Sequence, residues 1–127
     1  MNDEQYLSYC QQLLGEFARD FDRRTRSLED GDSLQELAAA FLQLHDGTRD
    51  LYSEGQQLVA RLFTTYPDFA PTFPRDLLWF LGGECLHFMP DAEIEQHQQL
   101  ANLRTEAAAN GEALDFIAAR AKLLKLQ

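Results

Sequence analysis

Glu84, Cys85 and His87 bring a carboxylate, a thiol and an imidazole into four consecutive positions. On an α-helix Glu84 and His87, three apart, share a face, and an E-x-x-H step of this kind supplies two ligands in carboxylate-bridged di-metal bundles. Such a centre needs the step on two helices and a Glu from each of two more, whereas this chain has it once. Glu93 and His97, spaced by four, could add a second carboxylate and imidazole across the short turn at Met89-Pro90. The metal alternative is therefore Glu84, His87, Glu93 and His97. Cys85 is a weaker ligand candidate, because it and His87 are two apart and point about 200° from one another on a helix. The simpler account is preferred: these are polar groups at a common spacing, and no cofactor is expected. Cys10 and Cys85 are the only cysteines, and both are expected as free thiols.

No glycine-rich phosphate loop, H-E-x-x-H step or calcium loop occurs in the sequence. The 127 residues carry 21 acidic against 11 basic side chains, a formal charge of −10. That field repels phosphate backbones and anionic lipid surfaces, so neither nucleic acid nor membrane is expected as a partner. The first ten residues lack a basic stretch followed by an apolar run, and the expected location is cytoplasmic. Arg19, Arg23, Arg24 and Arg26 form a basic cluster interrupted by Asp20 and Asp22, which reads as a salt-bridged helix face with docking to an acidic partner as its alternative.

The elements positioning these groups all read as helices. Tyr6, Tyr9, Cys10, Leu13, Leu14, Phe17 and Phe21 recur at spacings of three and four, predicting an amphipathic helix from Asp3 to Arg26. Asp32 or Ser33 can cap a second helix that breaks at His45-Asp46-Gly47-Thr48, and Ser33 with Glu36 matches a capping box. A third helix is expected from Arg49 to Thr65, with Gly55 as its weak point. Pro67, Pro71 and Pro74 predict an extended connector held down by Phe69 and Phe73. A fourth helix over 74–89 follows, then a fifth from Asp91 to Ala109 and a sixth from Glu112 to Leu124 with Arg120, Lys122 and Lys125 toward its end. The fold class is thus all-α, a compact bundle or orthogonal array of about five to six helices in a single domain, 1–127, with helix 74–89 central.

Helix 74–89 is apolar on most of its circumference, so it must be surrounded by protein, either its own or a partner's. Trp79, Phe80 and Phe88 are the expected interface anchors, with the Gly82-Gly83 pair allowing close approach of another backbone. With no chemical constellation to set against this, catalysis is not inferred. The expected function is that of a small acidic regulatory or adaptor protein acting by protein–protein contact, with an unidentified protein partner and a homodimer compatible with the pattern. The alternative is a small-molecule pocket lined by Tyr52, Tyr66 and Trp79, or the metal set above.

Overall fold

The computed structural model describes residues 1–29 and 31–124. Among them every regular element is helical, in the order α1 (Asp3–Thr25), α2 (Ser33–Asp46), α3 (Leu51–Thr65), a 3-10 turn (Pro67–Phe69), α4 (Arg75–Leu81), a second 3-10 segment (Gly83–Phe88), α5 (Asp91–Ala109) and α6 (Phe116–Leu123). The all-α class is therefore the observed one. None of these helices is long and apolar enough to cross a membrane. The chain divides into two compact units, Cys10–Phe88 and Met1–Tyr9 with Met89–Gln127.

In the unit Cys10–Phe88, helix ends follow the polar residues able to satisfy them. Asp32 accepts from the Leu34 N–H at 2.8 Å and caps α2, while Ser33 instead bonds the Tyr66 hydroxyl. Asp50 accepts from the Ser53 N–H at 2.9 Å, so α3 starts at Leu51 and not Arg49. Gly55 does not break α3. It is buried, and a β-carbon there would stand 2.9 Å from Leu81 Cδ2, so its missing side chain is what lets α4 approach.

The Asp46 and Asp50 carboxyls are held below the usual carboxylate range, first by side-chain hydrogen bonds from Thr48 and Ser53 and then by those residues' backbone N–H groups. A folded pKa below the unfolded one gives stability that is present above the unfolded value and lost as pH falls through the folded value. Asp50→Asn keeps a good helix cap and removes only the charge. It should lower the melting temperature more at about pH 6 than at about pH 3. An equal loss at both pH values would contradict this assignment.

The segment expected as one helix over 74–89 is interrupted. The Gly82 N–H still closes the last turn of α4 on the Leu78 carbonyl at 2.6 Å, but Gly83 then takes φ +48°, a conformation that costs a side-chain-bearing residue free energy. The Cys85 N–H donates to the Gly82 carbonyl at 2.7 Å, and the chain continues as a six-residue 3-10 segment, longer than such runs usually are. The proline connector is also less extended than expected, since Pro67–Phe69 winds into a 3-10 turn. Its aromatics do pin it down: Phe69 lies 5.2 Å from Phe21, and Phe73 lies 4.7 Å from Phe17 and 5.4 Å from Phe63, ring centre to ring centre.

In the other unit, Phe116 is buried, with its ring edge-on to Tyr6 and Tyr9 at 5.3 and 5.5 Å. The Arg104 guanidinium stacks 3.7 Å above the Tyr6 ring and bonds Asp3 at 2.9 Å. α6 begins at Phe116, four residues after the expected Glu112, because Asp115 is the residue that caps it, accepting from the Ala118 N–H at 3.1 Å. α5 runs Asp91–Ala109 as expected, with Pro90 in the cap position before it. Lys125, expected at the basic end of the last helix, lies outside the described residues, as does Asp30.

Candidate functional site

The side chains singled out for metal chemistry do not gather into a site. Loss of helical geometry after Leu81 removes the shared α-helical face on which Glu84 and His87 depended. Both are exposed, and His87 Nδ1–H donates to the Glu84 backbone carbonyl at 2.6 Å, away from its carboxylate. In the other unit, His97 is buried and its Nδ1–H donates to the Glu93 carbonyl at 2.9 Å. Among the described residues no group of three or more His, Cys, Asp or Glu side chains could hold a metal ion. Cys85 is buried, and burial, with Glu84 adding to it, pushes its thiol above the ordinary value. That disfavours the thiolate needed for nucleophilic or ligand chemistry. Cys10 is a buried free thiol, as is Cys85.

The expected interface residues differ in exposure. Trp79, Phe80 and Phe88 are half-buried; the Phe80 ring lies 5.8 Å from Tyr52, and the Phe88 ring is edge-on to Phe63 at 5.1 Å. Gly82 is buried against Leu78 and Leu86, and exposed Gly83 lies against Gln56. Tyr52 is 60% exposed, and Tyr66 spends its hydroxyl on Ser33.

A concave site forms elsewhere in the same unit, where the second half of α1 meets the proline connector and the start of α2. It encloses about 430 Å³ and is walled by Phe17, Phe21, Leu28, Leu34, Phe69 and Pro74, with Glu16, Asp20, Arg24, Thr25 and Thr72 as the polar members of its lining. Tyr52, Tyr66 and Trp79 take no part in it. Phe17 and Phe21 face it because both lie on the apolar stripe of α1, their rings 5.6 Å apart. Phe41, fully buried on α2, backs them at 5.2 and 6.1 Å. Gln35 fixes the rim near the end of α1, its amide donating to the Thr25 carbonyl at 2.9 Å and the Leu28 carbonyl at 2.7 Å.

The polar groups of this groove are already engaged. Asp20 pairs with Arg23 and, at 3.5 Å, with Arg24. The Thr25 hydroxyl donates to the Phe21 and Asp22 carbonyls at 3.0 and 3.1 Å, the Thr72 hydroxyl to the Phe69 carbonyl at 3.3 Å, and Gln12 donates to Glu16 at 3.3 Å. Next to it along α1 lies a shallower hollow lined by Arg19, Arg23 and Arg26 together with Glu16, Asp20 and Asp22. Asp22 pairs with Arg26 at 3.0 Å. Arg19 has no carboxylate within ion-pair distance among the described residues, and the hollow as a whole is lined by three arginines and three carboxylates.

The chain belongs to the PA2817-like family, whose pattern matches residues 3–127. Comparison with curated proteins and with solved structures gives no match.

Proposed function

We propose that this member of the PA2817-like family is a regulatory or adaptor protein that works by contact, receiving an apolar side chain of a protein partner in the groove between α1 and the proline connector. The observation carrying this reading is an apolar hollow of about 430 Å³ whose polar lining is satisfied from within. A polar ligand entering it would give up hydration and find few uncommitted groups in return, whereas an apolar side chain gives up little and covers three phenylalanines. The hollow is within the size range of small-molecule sites, but the polar groups of its lining are already engaged with one another or with backbone carbonyls, and so are poorly placed to orient such a ligand.

A photo-crosslinking residue placed at Leu28 or Thr72, both exposed, tests this in the native host. The expected result is a discrete adduct from both positions, mapping to an apolar segment of the partner, and none from the exposed Thr64 on α3. The same adduct from Thr64, or none from Leu28 and Thr72, would count against the groove.

A further inference from the structure

We infer that Arg75 is the positioning residue of the groove: its guanidinium stands in for a backbone N–H that proline withholds, and so fixes the connector wall in its receptive shape. The inference rests on the contact reading above. From Tyr66 onward the connector winds like the start of a helix. The Phe69 N–H donates to the Tyr66 carbonyl at 3.1 Å, the Ala70 N–H to the Pro67 carbonyl at 3.1 Å, and the Phe73 N–H to the Phe69 carbonyl at 2.9 Å. The next bond in that last pattern, four residues back, would run from position 74 to the Ala70 carbonyl. Pro74 has no N–H to give.

Ala70 is buried, so its carbonyl needs a donor from the protein. Arg75 supplies it: Nη1 donates to the Ala70 carbonyl at 2.8 Å and, more weakly, to those of Pro71 and Phe73 at 3.4 Å. An ionised donor makes a stronger bond than a neutral one, so one side chain gathers the carbonyls of a whole turn. That turn carries Phe69, Thr72 and Pro74, the connector's share of the groove lining. Contacts of Phe69 with Phe21, and of Phe73 with Phe17 and Phe63, hold the connector on the body, but apolar contact is non-directional. The direction in which the peptides between Phe69 and Pro74 turn is set by hydrogen bonds, those of Arg75 foremost. A wall fixed before docking spares the partner the cost of ordering it.

Amide hydrogen exchange and photo-crosslinking test this together on three chains: the native one, Arg75→Met, which keeps an apolar stem and loses every donor, and Arg75→Lys, which keeps a charged donor. In Arg75→Met the Ala70 and Phe73 amides are expected to exchange at least about tenfold faster, the equivalent of losing one hydrogen bond from a charged group, while the Val59 and Leu62 amides within α3 stay unchanged. With the crosslinker at Leu28, which lines the groove but is not part of the connector, the partner adduct should fall severalfold in Arg75→Met and largely recover in Arg75→Lys. Unchanged exchange at Ala70 and Phe73 would overturn the inference. Faster exchange in α3 to the same degree would make Arg75 a general support and overturn its positioning role, as would an undiminished Leu28 adduct in Arg75→Met or one that Arg75→Lys fails to restore. No adduct from the native chain would defeat the contact reading and the positioning role with it, while the exchange rates would still decide whether Arg75 holds the turn.

Discussion

Phe63→Ala is expected to cost about 3–5 kcal/mol of folding stability, the range for truncating a fully enclosed phenylalanine. Phe63 is 1% exposed and its ring meets Phe73 at 5.4 Å and Phe88 at 5.1 Å, so one side chain of α3 holds both the proline connector and the 3-10 segment. Small domains have about 5–15 kcal/mol in total, so this single truncation removes a large share. Phe73 also contacts Phe17, a wall of the groove, so the loss should spread to the candidate site. Urea denaturation is the direct measurement, with Phe63→Leu as the comparison. That variant keeps most of the volume and should cost under about 1.5 kcal/mol. If Phe63→Ala cost no more than Phe63→Leu, the enclosed position assigned to this ring would be wrong.

The second large effect concerns the sign of a substitution. In a continuous helix over 74–89, replacing either glycine of the Gly82-Gly83 pair by alanine would stabilise the protein by about 1 kcal/mol. In the interrupted chain the expected result is the opposite. A β-carbon on Gly82 would stand 2.3 Å from the Leu78 carbonyl oxygen, 3.0 Å from Leu78 Cδ1 and 3.1 Å from Leu86 Cδ2. The backbone carbonyl cannot swing aside as a side chain can, so the end of α4 must shift, at a cost of about 1–3 kcal/mol. At Gly83 the nearest obstruction is the flexible Gln56 side chain, which can move, but the φ of +48° adds about 1–2 kcal/mol for alanine. Thermal melts of Gly82→Ala and Gly83→Ala should both fall below that of the native chain. A rise in either would restore the continuous helix.

The metal alternative shows why residue spacing is a weak guide on its own. Glu84 and His87 share a face only if the backbone around them is α-helical, and that depended on how the chain passes Gly82 and Gly83. Local propensity pointed to a tolerated pair of glycines inside a helix. A left-handed turn at Gly83, stabilised by packing of the following segment on α3, is a choice that no window of neighbouring residues contains.

The groove was legible only in pieces. Phe17 and Phe21 fall on a periodic stripe, and Phe69 alternates with prolines, so the sequence marks all three as contact residues. It does not mark a space between them, because that space is bounded by side chains some fifty positions apart and its volume is set by how α2 and the connector pack on α1. Periodicity of 3.6, caps and turn residues are properties of adjacent residues, and they determined the helical class, the number of α-helices and most helix ends. The tertiary structure decided where α4 breaks, where α6 begins, and which apolar side chains are enclosed and which, like Ile117, are left facing solvent, because those outcomes depend on burial and clashes between residues remote in the chain.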